Sequence, residues 1–165
     1  MDSQLYELAR RSGEALKRKG LLLATAESCT GGWVAEAVTM VPGSSEWFER
    51  GFVTYTNVAK QEMLGVRIET LQRYGAVSEQ TVQEMVAGAL AHSHAQVALA
   101  VSGVAGPSGG TPSKPVGTVC LAWGVRDSTS LAITQHFAGD REEVRRLSVV
   151  RAFEGLLGLL ELVGA

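Results

Sequence analysis

The chain has 165 residues, of which 45% are hydrophobic and 19% are charged, so it can bury a sizeable core as one domain over residues 1–165. Its net charge of −2 argues against a protein that coats nucleic acid, and no apolar run approaches the ~20 residues of a membrane helix. Two cysteines do not make a disulfide framework, and the N-terminus lacks the apolar core of a signal peptide. We therefore expect a cytoplasmic protein with no nucleic-acid and no membrane partner.

The first half of the chain alternates between helical and strand patterns. The predicted elements, in order, are a helix ending at Gly20, a buried strand at 21–24, a helix over 33–38, a strand at 51–56, and short helices over 57–64 and 68–74. An amphipathic stripe indicates the first helix, a continuous apolar run the first strand, and β-branched and aromatic residues the second strand. Asn57 is the expected N-cap of the helix that follows.

The second half begins with a core-facing helix and ends with a hairpin and a long helix. Its predicted elements are a helix opened by Ser78, a buried strand at 97–101, a loop over 102–115, strands at 116–125 and 130–137, and a final helix capped by Asp140. The loop is too rich in glycine and proline to be regular, and long loops of this kind are usually functional or disordered. Early alternation and a late hairpin predict a three-layer α/β/α sandwich with a mixed sheet.

A motif of small polar residues lies where the first strand turns into a helix. Thr30 is the expected N-cap, and Gly31 and Gly32 would form the first helical turn. Unpaired N–H groups at a helix start, next to the Ser28 hydroxyl, offer acyl transfer both a nucleophile and a place for an oxyanion. A turn of small residues chosen for packing is the alternative, and the residues alone do not separate the two.

Tyr55 and Lys60 follow the second predicted strand. With Asn57 as N-cap, Lys60 is the third residue of its helix, where the positive end of the helix dipole disfavours a cation. The dipole and burial should lower its pKa, so a neutral lysine could act as general base toward a serine hydroxyl. Tyr55 could relay the proton or hold the lysine. A solvated Lys60 beside a half-buried Tyr55 is the alternative.

Arg141 is a second cation at a helix start, directly after the Asp140 cap. An anion docking there would explain it, with Lys114 of the loop as a further contributor, whereas the alternative is a pair with Glu142 or Glu143. The loop glycines could offer N–H groups to a phosphate or ribose, although the loop matches neither G-x-G-x-x-G nor the P-loop. A flexible surface loop is the alternative.

The cysteines and histidines do not indicate a metal site. Cys29 competes with Ser28 as the nucleophile, because a thiol at a helix start would have a lowered pKa. The three histidines show no metal-ligand spacing with either cysteine. We expect neither a metal nor an organic cofactor.

Six stretches, taken in chain order, resemble the CinA C-terminal domain family. They are Thr25-Ala-Glu-Ser-Cys-Thr-Gly-Gly32, Gly51-Phe-Val-Thr-Tyr-Thr-Asn57 with Lys60, Gly75-Ala-Val-Ser78, Ser102-Gly-Val-Ala-Gly-Pro107, Lys114-Pro-Val-Gly-Thr118 and Phe137-Ala-Gly-Asp-Arg141. The resemblance covers essentially the whole chain and matches the stand-alone form of the module, without the domain that precedes it in longer members. It implies an amidohydrolase that converts nicotinamide mononucleotide to nicotinate mononucleotide and ammonia in pyridine-nucleotide recycling.

On this resemblance Ser28 is the nucleophile, Lys60 is the general base and Tyr55 assists it, while Cys29 becomes a packed neighbour. The groups expected to bind the oxyanion or the rest of the substrate are Thr30, Gly31, Gly32, Ser102, Gly103, Gly106 and Arg141. Arg141 and the glycine-rich loop are the candidates for the 5′-phosphate. Two alternatives remain, an amidase for another small phosphorylated amide and a nucleotide-binding or regulatory module without turnover.

The final helix carries more apolar residues than one narrow face needs. They are Leu156, Leu157, Leu159, Leu160 and Val163. One face can cover the sheet and the remainder needs a partner, so we expect a homo-oligomer and most simply a dimer. A single broad seam facing the core is the alternative.

Overall fold

In the computed structural model, which describes residues 1–163, a five-stranded sheet lies between two layers of helices. Within that range the helices are α1 (Ser3–Lys19), α2 (Trp33–Thr39), α3 (Asn57–Leu64), α4 (Ile68–Tyr74), α5 (Glu79–Ala91) and α6 (Arg141–Leu162), with a 3₁₀ turn at Ser44–Glu46. The strands are β1 (Leu23–Glu27), β2 (Phe48–Val53), β3 (Val97–Gly103), β4 (Thr118–Val125) and β5 (Leu131–His136). The predicted three-layer sandwich with a mixed sheet is confirmed. No helix in the described range has the length and apolar character needed to cross a membrane.

The order of the strands creates a crevice at one edge of the sheet. The order is β2-β1-β3-β4-β5, with β1 parallel to both of its neighbours and the last two strands antiparallel to those before them. The chain leaves β1 to form β2 on one side and later returns on the other side as β3. Such a reversal opens a crevice at the carboxyl ends of the strands, where ligands bind in α/β proteins. Here it lies beyond Glu27, Val53 and Val101, which pair in register.

The two faces of the sheet bury side chains of different size. The face under α1, α2 and α6 buries large ones, among them Trp47, Trp123 and Phe153. On the face under α3, α4 and α5 the buried strand residues are mostly alanine, so these helices pack close to the sheet. A Cβ at Gly88 of α5 would lie 1.9 Å from the carbonyl oxygen of Leu64, the last residue of α3. Glycine at this position therefore allows α5 to approach the end of α3 closely.

The N-cap of the helix that carries Lys60 lies one residue earlier than predicted. Thr56, not Asn57, is the N-cap, and its Oγ1 accepts the Ala59 N–H at 3.1 Å. A threonine hydroxyl can cap as an asparagine amide does, so the pattern left two candidates one position apart. Lys60 is therefore the fourth residue of α3.

The first two strands are displaced from the predicted runs. β1 extends to Glu27, three residues beyond the apolar run, and β2 begins at Phe48 and ends at Val53. All five residues of β1 are buried, including Thr25 and Glu27. Sheet pairing thus continues through polar residues that an apolar pattern does not include.

Candidate active site

Ser28 lies at the crevice, immediately after β1. Its N–H donates to the Val101 carbonyl at 3.0 Å, and on the other side the Thr54 N–H donates to the Glu27 carbonyl at 2.8 Å. Ser28 is therefore held between the ends of β2 and β3. Because side chains alternate along a strand, Glu27 points toward α2 and Ser28 toward α3.

Glu27 organises the start of α2. Its buried carboxylate accepts the Thr30 hydroxyl at 2.6 Å, the Val34 N–H at 2.9 Å and the Ala35 N–H at 3.0 Å. A carboxylate at a helix N-terminus satisfies free N–H groups and favours the helix dipole. Glu27 thus takes the capping role that was predicted for Thr30.

The predicted helical turn at Gly31 and Gly32 is also wrong. Both residues precede α2, with left-handed φ values of 62° and 104°, and Gly32 occupies the N-cap position. The Gly31 N–H donates to the Ser28 carbonyl at 3.0 Å, so it is not free for an oxyanion. Within the described residues, Thr30, Gly31 and Gly32 do not line the cleft next to Ser28.

Lys60 contacts Ser28 from α3. Its Nζ lies 3.0 Å from Ser28 Oγ and 3.0 Å from the Thr54 carbonyl oxygen, and the residue is 1% exposed, which contradicts the solvated alternative. An ammonium would have three protons to place on these two partners, whereas a neutral amine can accept the serine proton and donate to the carbonyl. Burial lowers the pKa of Lys60, in the direction that we predicted.

Whereas burial favours the deprotonated form of Lys60, it favours the protonated form of Cys29. It is 6% exposed, and burial, with the nearby Glu27 charge, raises the pKa of Cys29 to about 11. The prediction that a helix start lowers the pKa of this thiol is wrong, because desolvation is the larger effect. A protonated thiol is a poor nucleophile near neutral pH, which favours Ser28.

The predicted site residues other than Thr30, Gly31 and Gly32 share one cleft of about 260 Å³. Those that line it are Ser28, Tyr55, Lys60, Ser102, Gly103, Gly106 and Arg141. The loop between β3 and β4 forms one wall, and Ala76 and Val77, ahead of α5, form part of the other. The cleft therefore combines a reactive pair at its floor with a cation at its rim.

Arg141 connects the first residue of α6 to both walls. Its Nη1 donates to the Gly106 carbonyl at 2.8 Å and its Nη2 donates to the Tyr55 hydroxyl at 3.0 Å. It does not form the alternative pair with Glu142 or Glu143. The Tyr55 hydroxyl is thus hydrogen-bonded to Arg141 and not to Lys60, so no contact supports a proton relay through Tyr55.

Two other basic residues differ from expectation. Lys114 donates to the Tyr74 carbonyl and does not line the cleft within the described chain, so it is not a partner of Arg141. Arg145, for which no role was predicted, donates to the Cys29 and Thr30 carbonyls at 3.0 and 3.1 Å. Arg145 lies four residues after Arg141, so both are on one face of α6. This spacing is the feature of the sequence that could have indicated a role for Arg145.

Removal of metal should leave the activity unchanged. Among residues 1–163, no three side chains of His, Cys, Asp or Glu are placed to hold a metal ion. A lysine base needs no Lewis acid to activate a serine. We expect the rate of amide hydrolysis after dialysis against a chelator to equal that of the untreated protein. Inactivation that is reversed by zinc or magnesium would contradict a metal-free reaction.

The fold and the cleft define an α/β protein with a serine and a buried lysine in contact at the switch point of a mixed sheet. The model of the CinA C-terminal domain family matches residues 5–160, and the chain belongs to this family. It is 51% identical to the nicotinamide-nucleotide amidohydrolase PncC of Escherichia coli K12 over 94% of both chains. It is 56% identical to the protein of the same name from Pseudomonas putida, over 92% of this chain and 94% of the relative.

Solved structures agree with this assignment. The crystal structure of the competence/damage inducible protein CihA from Agrobacterium tumefaciens has a TM-score of 0.93 at 48% identity, covering 96% of this chain and 97% of the other. A CinA superfamily protein from Klebsiella pneumoniae also has a TM-score of 0.93, at 40% identity, covering 96% of this chain and 99% of the other. The family resemblance of the sequence is thus confirmed.

Proposed function

We propose that this protein is an amidohydrolase that converts nicotinamide mononucleotide to nicotinate mononucleotide and ammonia. The observation that carries the proposal is the 3.0 Å contact between Ser28 Oγ and the Nζ of a buried Lys60. The names of the relatives supply the substrate, because they are nicotinamide-nucleotide amidohydrolases at more than half identity. A serine activated by an adjacent base is the equipment of acyl transfer, and a carboxamide is an acyl donor.

The reaction proceeds in two halves. Neutral Lys60 takes the proton of the Ser28 hydroxyl as Oγ attacks the carboxamide carbon, and the carbonyl oxygen becomes an oxyanion. Lys60 then returns the proton to the nitrogen, the carbon–nitrogen bond breaks and ammonia leaves. Lys60 then takes a proton from a water molecule as its oxygen attacks the acyl-enzyme, and passes that proton to Ser28 Oγ as the carbon–oxygen bond of the ester breaks. The acid that is released ionises to the nicotinate carboxylate. The Cys29 N–H, on the residue after the nucleophile, is the candidate donor to the oxyanion.

Ammonia release tests the proposal directly. The purified protein is incubated with nicotinamide mononucleotide, ammonia is measured by a coupled assay and nicotinate mononucleotide by chromatography. We expect equal amounts of both products. Binding by calorimetry without ammonia release would instead support the regulatory module, and release from a different phosphorylated amide alone would support the other amidase.

Arg141 should bind the 5′-phosphate. It lies at the rim of the cleft and its guanidinium has two hydrogen bonds, to neutral partners, so it can add a charged one. We expect Arg141→Ala to raise KM for nicotinamide mononucleotide by about 10- to 100-fold, because a charge-assisted contact is worth ~1.5–3 kcal/mol. Tyr55→Phe should raise KM less, because it removes a group that orients Arg141.

Nicotinamide riboside, which lacks the phosphate, is the control substrate. Arg141→Ala should leave kcat/KM for the riboside near the wild-type value, so the preference for the nucleotide over the riboside shrinks. An equal loss on both substrates would remove Arg141 from phosphate binding.

We also infer a homodimer in the cytoplasm. Of the apolar residues on α6, Leu156 and Leu160 are buried in the core, Leu157 and Leu159 are partly buried and Leu162 is 84% exposed. The core-facing seam accounts for Leu156 and Leu160, and the exposed Leu162 with the partly buried Leu157 and Leu159 is the apolar surface offered to a partner. Light scattering at micromolar concentration should give twice the 17.5 kDa mass of the chain, and a monomeric mass would contradict the dimer.

A further inference from the structure

The turn that follows Ser28 is held from outside the cleft by a residue of the last helix. Arg145 donates from Nε to the Cys29 carbonyl at 3.0 Å and from Nη2 to the Thr30 carbonyl at 3.1 Å. Its guanidinium lies over the Trp33 ring, 5.4 Å from the centroid, and this stacking restrains the guanidinium plane. Arg145 forms no ion pair with a carboxylate within residues 1–163, so its charge is directed at the turn.

These bonds orient the N–H groups next to the nucleophile. In a trans peptide the C=O and N–H point in opposite directions, so a Cys29 carbonyl held toward α6 turns the Thr30 N–H away from it. The Gly31 N–H, which donates to the Ser28 carbonyl, orients the Cys29 N–H in the same way. Within the described residues, neither the Cys29 nor the Thr30 N–H donates to another residue. Of these two residues, Cys29 lines the cleft next to Ser28 and Thr30 does not, so the Cys29 N–H is the one available to the substrate.

The turn needs such a restraint because it contains two glycines. Gly31 and Gly32 adopt φ values of 62° and 104°, and glycine moves between backbone conformations at little cost. A donor that develops its hydrogen bond only in the transition state must already point at the oxyanion when the substrate arrives. Arg145, which does not line the cleft, supplies two contacts that hold the turn.

We propose that Arg145 is a positioning residue that keeps the turn after Ser28 in the conformation that receives the oxyanion. This inference rests on the proposed amidohydrolase function, because an oxyanion forms in acyl transfer. Arg145 contacts backbone carbonyls and does not line the cleft, so we expect its effect to fall on the chemical step. It differs in this from Arg141, which faces the cleft.

Variants of two adjacent arginines test the proposal. Arg145→Ala should lower kcat about 100-fold and leave KM for nicotinamide mononucleotide within about 2-fold, as misplacement of a donor affects the transition state alone. Arg145→Lys keeps the charge but reaches one carbonyl at a time, so its kcat should lie between those of Arg145→Ala and the wild type. Arg146→Ala is the matched control, because Arg146 Nε binds Asp2 Oδ2 at 2.7 Å instead of the turn, and it should retain wild-type kcat.

Labelling of Ser28 by a fluorophosphonate separates this inference from the choice of substrate. The Oγ–phosphorus bond forms, the phosphorus–fluorine bond breaks, fluoride leaves and the serine proton passes to Lys60, while the phosphoryl oxygen takes the oxyanion position. Mass spectrometry should show labelling slowed in Arg145→Ala and unchanged in Arg146→Ala. Labelled wild type without hydrolysis of nicotinamide mononucleotide would overturn the proposed substrate and leave the role of Arg145 standing.

Several results would overturn the role of Arg145. These are wild-type kcat and labelling in Arg145→Ala, an equal loss in Arg146→Ala, or wild-type protein that is not labelled at Ser28. If Arg145→Ala does not fold, Arg145→Lys decides, and full kcat in that variant rejects the proposal.

Discussion

Ser28→Ala will abolish turnover and leave the fold and substrate binding in place. Loss of a serine nucleophile typically costs on the order of 10⁴- to 10⁶-fold in kcat, because no other group can form the acyl-enzyme. The hydroxyl is a small group whose side-chain contact is with Lys60, so the free energy of unfolding should change by about 1 kcal/mol. Rates of ammonia release, calorimetric affinity for nicotinamide mononucleotide and thermal unfolding measure the three expectations.

Cys29→Ala is the matched control for Ser28→Ala. It removes a neighbouring buried side chain of similar size whose pKa is raised to about 11, so most of the activity should remain. An inactive Cys29→Ala with an active Ser28→Ala would transfer the nucleophile to the thiol.

Replacement of Lys60 should cost about 10²- to 10⁴-fold in kcat, the usual contribution of a general base. Lys60→Arg should be nearly as damaging as Lys60→Ala, because a guanidinium stays protonated at every working pH. Lys60→Met, which keeps the length of the side chain without charge, controls for packing of this buried residue. If Lys60 has only a structural role, arginine should be tolerated, so an active Lys60→Arg protein would remove Lys60 from the mechanism.

The pH dependence of both activity and stability follows from the lowered pKa of Lys60. The reaction needs the neutral amine, so kcat/KM should rise with pH as the buried lysine deprotonates. Between its folded pKa and about 10.5, the unfolded chain holds a proton that the folded chain has released, so unfolding free energy rises with pH. Below the folded pKa this contribution is lost. Lys60→Met should show neither trend. If its kcat/KM or its unfolding free energy rises over the same pH range as in the wild type, a group other than Lys60 is responsible for that rise.

The amino-acid sequence by itself predicted most of the secondary structure and the residues that meet in the cleft. The caps at Ser78 and Asp140 and the helix end at Gly20 were predicted correctly, because capping depends on residues within one turn of each other. Helix and strand periodicity is local in the same sense, which is why the three-layer sandwich was predictable.

The tertiary structure decided how the site residues face one another. Strand order places β1 between β2 and β3, and this brings Lys60 to Ser28 across 32 positions of sequence. It also places Tyr55 on Arg141, 86 positions away, where the sequence suggested a contact with Lys60. The residue pattern of one sequence does not specify whether Tyr55 will bond to Lys60, which is near in sequence, or to Arg141, which is distant.

Burial reversed two conclusions drawn from the helix start. The dipole of α2 favoured a low pKa for Cys29, yet the thiol is enclosed and its pKa rises. Thr30 has the side chain of a cap, yet the buried Glu27 carboxylate reaches the same helix start and takes that role. Desolvation and competition for hydrogen-bond donors depend on which groups surround a site in three dimensions, and those surroundings form only when the sheet and its two helix layers assemble.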